Sequence, residues 1–163
     1  MDPHRVSNGA AIAAIVANGS VMLVIEPERD EPYFKFPGGE IEHGETPLEA
    51  IIRELEEETG FEIPAWISLG SPAILDGYTV RIDAILSRTV GRPGNRHPQH
   101  FFVVEVSRIE ELTHLDLKVR QGDAGETIKT HLMTLDTARN LPNFLPPQQV
   151  LLDALVAYLS ESG

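Results

Sequence analysis

The chain has 163 residues, 42% hydrophobic and 23% charged, a balance that suits one globular domain over residues 1–163 burying roughly 70% of its unfolded surface. No stretch approaches the ~20 apolar residues of a membrane span and the first residues lack a signal-peptide pattern, so a soluble, unexported, cytoplasmic protein is expected. Zero cysteines exclude disulfides, thiolate metal sites and a cysteine nucleophile, and a formal net charge of −12 opposes a nucleic-acid polymer while allowing a small phosphorylated ligand if a cation mediates.

From Gly9 two apolar runs flank Asn18-Gly19, the pair best able to adopt positive φ at both central positions of a type I′ turn, and a β-hairpin is predicted. After the charged loop 27–32, a short apolar piece from Tyr33 to Phe36 runs into Pro37-Gly38-Gly39, where a strand should end and the backbone bend, so the following motif is expected to begin in a loop. Thr46-Pro47-Leu48-Glu49 has the form of a helix start, with Thr46 as N-cap, Pro47 in the first turn and Glu49 closing a capping box; Gly60 suits the end of that helix. Leu48, Ile51, Ile52 and Leu55 follow the spacing of one buried helical face.

Further on, residues 66–75, 78–87 and 100–106 have the composition of strands, and residues 126–135 alternate with period two. The segment Ser87 to His100 gathers Arg88, Arg92, Arg96 and His97 among glycines and prolines, and is predicted to be a hairpin loop whose arginines either bind phosphate or simply solvate the surface. A capped helix is expected from Pro146 to Leu159. Strands before, between and after two helices imply an α/β fold, an α/β/α sandwich with a mixed sheet.

The chemistry concentrates between Glu40 and Glu62, where nine carboxylates accompany a single arginine. At ~100° per residue, Glu54, Glu57 and Glu58 share an arc of about 100° beside the apolar stripe. Three like charges that close repel, by ~1 kcal/mol per pair even in a water-like dielectric. Two readings follow: a solvated acidic face on which Arg53 pairs with Glu49 and Glu57, or a seat for a hard divalent cation on carboxylate oxygens.

Gly39, Glu45 and Arg53-Glu54-Leu55-Glu56-Glu57-Glu58-Thr59-Gly60-Phe61 stand at the spacing G-x5-E-x7-R-E-U-x-E-E-x-G-U, with U apolar, and resemble the Nudix box at every fixed position. The resemblance covers 23 residues, Gly39 to Phe61, and implies the Nudix α/β/α sandwich and hydrolysis of a nucleoside diphosphate linked to another moiety, with Mg²⁺ or Mn²⁺ as cofactor. It implies metal binding by Glu54, Glu57 and Glu58, with the Gly39 carbonyl as a further donor, an orienting role for Arg53, and a loop hydrogen bond for Glu45. A carboxylate then removes the proton, with Glu54, Glu57 and Glu126 in the catalytic set; Glu126 resembles an acid that many relatives carry at the start of a late strand to help the metal site or act as base, and is otherwise an exposed strand-start acid. Tyr78, 17 residues past Phe61, is spaced like a tyrosine of the diadenosine polyphosphate hydrolases, and is otherwise a packed sheet residue. With Arg92 and Arg96 it forms the candidate substrate-binding set. The implied partner is a small nucleotide, with no nucleic-acid polymer and no membrane, and a homodimer is compatible with the family. The remaining alternative is a Nudix module that binds a nucleotide without turnover. Missing cysteine disfavours the family's isomerase branch, and His4, His43, His114 and His131 show no ligand-like spacing.

Overall fold

Strand β1, Ala10–Ala17, is apolar along its length because both of its faces are covered. Ala11, Ala13, Ile15 and Ala17 enter one core and Ile12, Ala14 and Val16 another, the two-residue period of a strand with a layer on either side. A computed structural model describes residues 8–122 and 124–162, so His4 lies outside the described residues. The Asn18-Gly19 turn forms as expected, with φ of 49° and 78°, and joins β1 to antiparallel β2, Ser20–Ile25.

The chain continues through β3 (Gly38–Glu40), α1 (Pro47–Thr59), β4 (Ala73–Ile74), β5 (Thr79–Arg92), β6 (Asn95–Val106), α2 (Glu110–Thr113), β7 (Val119–Gln121), β8 (Thr127–Thr134), α3 (Leu135–Arg139), a 3₁₀ turn (Pro146–Gln148) and α4 (Gln149–Ser162). One sheet runs β4-β5-β6-β1-β2-β8-β7, with β3 paired to the start of β1. The β1–β6 ladder is parallel and its neighbours are antiparallel, which makes the sheet mixed. Ala50, Ile51 and Leu55 of α1 and Leu112 of α2 fill the core on one face; Ala138 of α3 and Leu151, Leu152 and Leu155 of α4 fill the other. This is the expected α/β/α sandwich. No helix among the described residues is long and apolar enough to cross a membrane.

Local expectations needed correction in several places. Gly38–Glu40 is a short strand antiparallel to β1 rather than a loop, because two glycines let the backbone lie flat against Ala11 and Ile12. Of residues 66–75 only Ala73–Ile74 pair; successive turns, closed by Ile67 N–H to Pro64 O and Ser71 N–H to Ser68 O, occupy the rest. The supposed loop Ser87 to His100 is paired from Ser87↔His100 to Arg92↔Asn95 around the two residues Pro93-Gly94. Its glycines and prolines suggested a break in the chain, yet the β1 ladder begins at Gln99, so Pro98 withholds no hydrogen bond from it. The short elements α2, β7 and α3 carried too little periodicity to be foreseen.

Candidate active site

The approach to the site is a strap held on both sides. Lys35 exchanges backbone hydrogen bonds with Val24 of β2 (2.9 and 3.0 Å), and the Phe36 N–H donates to the buried Gln148 Oε1 at 2.8 Å. Phe36 turns into the core, so the two-residue period leaves Lys35 facing the opposite way. The chain then passes so close to β1 that a Cβ on Gly38 would collide with the Ala11 carbonyl oxygen. A Cβ on Gly39 would lie 2.7 Å from the carboxylate of Glu54. The box glycine is therefore a steric requirement of Glu54.

Helix α1 starts as its sequence predicts, with the Thr46 side chain accepting from Glu49 N–H, the Glu49 side chain accepting from Thr46 N–H, and Gly60 ending it at φ 81°. From the far side Arg120 Nε donates to the Glu57 carbonyl at 2.9 Å, a cation at the negative end of the helix. The apolar stripe fixes the rotation of α1, and Glu54, 7% exposed, is thereby pressed against Gly39.

Arg53 binds Glu45 through two hydrogen bonds (Nε to Oε2 2.7 Å, Nη2 to Oε1 2.9 Å), reaches Glu54 Oε1 at 2.9 Å and the Glu40 carbonyl at 3.1 Å, and lies 3.4 Å from Glu57 Oε2. The expected Arg53–Glu49 pair does not form, since Glu49 is spent on the capping box. The Arg53 hydrogen bond holds the Glu45 carboxyl below the usual carboxylate range, and Glu45 also accepts from Glu42 N–H at 2.8 Å. One guanidinium thus ties the box loop to the acidic helix.

Glu58 accepts the Gly38 N–H at 2.7 Å. Burial, which outweighs the pull of that N–H and of Lys35, pushes its pKa up to about 7, with Glu54 and Glu126 adding to the rise. Glu126 arrives from the opposite side, immediately before β8. Its Oε2 accepts from Ala124 N–H at 3.0 Å, and its carboxylate packs so closely on Gly122 that a Cβ there would overlap it.

These residues face one cleft of about 400 Å³, lined by Glu54, Glu57, Glu58, Glu126 and Gly39. Lys35 and Glu26, which the sequence reading passed over, line it as well. Their only sequence signal is strand alternation next to Phe36-Pro37-Gly38-Gly39. The remaining candidates lie elsewhere. Tyr78 is half-buried in a depression of about 280 Å³ between the end of α1 and α2, among Glu62, Glu111 and His114. Burial and then the charges of Glu111 and Glu62 raise its pKa. Arg92 and Arg96 are exposed beside the tip of the β5–β6 hairpin, while Arg88 is held by Gln99 (2.7 Å) and the Pro147 carbonyl (2.8 Å).

The donors in the cleft are hard oxygens, the chemistry Mg²⁺ or Mn²⁺ prefers. Among the described residues no three acidic or imidazole groups converge closely enough to hold an ion as they stand. Glu54 and Glu57 lean on Arg53, and Glu58 on Gly38 N–H. The donor set fits such a cation if side chains turn inward to meet it.

A family model described as NUDIX domain matches residues 7–155. Across 164 aligned residues the chain is 26% identical to an RNA pyrophosphohydrolase of Helicobacter pylori (strain P12), covering 93% of each protein. A 26-residue stretch, 16% of this chain and 20% of the relative, is 65% identical to the 8-oxo-dGTP diphosphatase of Escherichia coli (strain K12). Among solved structures, a mutT/nudix family protein from Listeria innocua superimposes with a TM-score of 0.64 at 18% identity, over 97% of this chain and 98% of the other. An ADP compounds hydrolase does so with a TM-score of 0.66 at 16% identity, over 95% and 74%.

Proposed function

The chain belongs to the Nudix family as a pyrophosphohydrolase, and from that premise we propose that it uses Mg²⁺ or Mn²⁺ to cleave the diphosphate linkage of a nucleoside diphosphate derivative: a nucleotide, a dinucleoside polyphosphate or a nucleotide sugar. The observation that carries the reading is the convergence of Glu54, Glu57, Glu58 and Glu126 on one cleft beside Gly39. A module that only bound nucleotide would have no physical need for four carboxylates facing an anionic ligand.

Hydrolysis forms a bond from water oxygen to phosphorus, breaks the bridging P–O bond, and passes a water proton to a base. A bound cation would offset phosphate charge, acidify the attacking water and stabilise the leaving oxygen. Glu54, Glu57, Glu58 and the Gly39 carbonyl are its proposed ligands. Glu126, across the cleft from α1, takes the proton, and Arg53 positions Glu54 and Glu57 without touching substrate. Tyr78, Arg92 and Arg96 lie outside the cleft and would meet only parts of a long substrate remote from the reacting phosphates.

The test is incubation of the purified protein with Mg²⁺ or Mn²⁺ and a panel of nucleoside triphosphates, dinucleoside polyphosphates and nucleotide sugars, with products identified. Glu57→Gln should remove most turnover and weaken Mn²⁺ binding. Glu126→Gln should lower kcat ~10²-fold with metal affinity little changed. Near-normal turnover by Glu57→Gln at saturating metal would refute the ligand set, and a larger kcat loss in Glu54→Gln with metal still bound would move the base to the helix.

A further inference from the structure

The cleft that gathers the box carboxylates also contains a cation. Among the described residues lining it, Lys35 alone is positively charged, amid Glu26, Glu40, Glu42, Glu54, Glu57, Glu58 and Glu126. Its backbone is pinned by both hydrogen bonds to Val24, so the base of the side chain cannot drift. Its ammonium is held loosely, 3.6 Å from Glu26 Oε1, and the same carboxylate lies 3.2 Å from Arg29 Nε. Next to Lys35 and Glu26 lies a smaller recess of about 60 Å³ that shares those two residues with the cleft and adds Arg29, Glu31, Tyr33 and Leu145. Beside the cleft, two cations, Lys35 and Arg29, thus share the Glu26 carboxylate, with Glu31 and the half-buried phenol of Tyr33 in the same recess.

We propose that Lys35 is a specificity-determining residue that binds a phosphoryl group of the substrate beyond the metal-bound diphosphate, selecting nucleotides with three or more phosphates over nucleotide sugars. This rests on the hydrolase reading above for the position of the diphosphate. An ammonium on a flexible stem is a mobile point charge suited to a terminal phosphate. Glu26 parks it when no ligand is present, and an incoming phosphoryl group, which in its terminal form carries up to two negative charges over its oxygens, competes for it. A sugar on the far side of the diphosphate offers hydroxyls and no such charge, so it gains nothing from Lys35.

The decisive experiment uses binding, so it does not depend on turnover. Calorimetry with Mg²⁺ compares the methylene-bridged, non-hydrolysable analogue of a nucleoside triphosphate with that of a nucleotide sugar, on wild type, Lys35→Met, Lys35→Arg and Glu26→Gln. Lys35→Met should weaken the triphosphate analogue about tenfold or more while leaving the sugar analogue unchanged. Lys35→Arg should retain most of the affinity. Glu26→Gln, which removes the competing carboxylate, should tighten the triphosphate analogue severalfold. Equal losses on both analogues, or a loss in Glu26→Gln matching that of Lys35→Met, would make the pair a structural brace and overturn the proposal, as would a wild type that binds neither analogue. Tight binding of the triphosphate analogue without hydrolysis of any panel substrate would defeat the hydrolase reading and leave that of Lys35 standing.

Discussion

Glu58 illustrates how position alone changes the chemistry of a side chain. Its sequence neighbours Glu56 and Glu57 are exposed, whereas Glu58 turns under the Gly38–Glu40 strand, and burial lifts its pKa to about 7. Between the ordinary carboxylate value of 4.5 and about 7 the folded protein keeps a proton that the unfolded chain has released. That contribution to stability is complete below 4.5 and disappears as pH rises through about 7. Metal-free protein should therefore lose roughly 4–8 °C of melting temperature between pH 5.5 and 8 that Glu58→Gln does not lose. Divalent cation should act in the opposite sense, binding more tightly as pH rises through the same interval, because it needs the ionised carboxylate. Thermal melts of both proteins with and without Mg²⁺ check the sign; identical slopes for wild type and Glu58→Gln would mean that the group titrates normally. Arg53 makes the complementary point. Helical spacing offered it Glu49 and Glu57, but the loop residue Glu45, eight positions away, took two of its N–H groups, and Glu54 and the Glu40 carbonyl took others.

At the scale of elements, α1 and the β3 strand before it form a matched pair, and the two glycines of β3 do different work. Gly38 makes room for backbone: a side chain there would strike the Ala11 carbonyl, which belongs to a central strand and cannot yield. Gly39 makes room for a side chain, the Glu54 carboxylate at 2.7 Å from the added Cβ. Gly38→Ala should thus destabilise the fold, by ~1–3 kcal/mol. Gly39→Ala should keep most of the stability while displacing Glu54, with a large loss of turnover and weakened Mn²⁺ binding. Melting and metal binding measured on both variants separate the roles, and a Gly39→Ala protein with unaltered metal affinity would contradict the proposed site. The β5–β6 hairpin shows the reverse situation, in which local signals misled. Glycine and proline mark turns on average, but cross-strand pairing over Ser87 to His100 absorbed all except Pro93-Gly94.

For the molecule as a whole, the cleft face depends on the segment that leads into α4. Gln148, buried beside α4, accepts the Phe36 N–H across 112 residues of sequence and fixes the strap that carries Lys35 and leads into Gly38. Gln148→Leu would leave that N–H buried without a partner, at a cost of ~1–3 kcal/mol. Because the strap sets where Lys35 and Gly39 stand, we expect reduced kcat/KM in the folded fraction as well as a lower melting temperature. Unchanged kcat/KM in a destabilised Gln148→Leu protein would show that β1 and β2 hold the strap unaided.

The sequence by itself determined the α/β class, the Asn18-Gly19 hairpin, both ends of α1 and the acidic stripe upon it, since these depend on dihedral preferences, capping and periodicity, which act over a few residues. It also carried the family, because the box residues serve one another at short range: Glu45 with Arg53, Arg53 with Glu54, Glu49 with Thr46. Only the tertiary structure decided what stands opposite that stripe. Glu126, suggested in the sequence only by resemblance, reaches the cleft from the start of a distant strand, Glu26 and Lys35 reach it from the end of β2 and the strap ahead of the box, and Gln148 supports it from the other layer. Tyr78, singled out by its spacing, came to rest in a separate depression. Register between strands and the rotation of a helix on a sheet are set by the packing of two cores at once, and no local window of sequence contains that information.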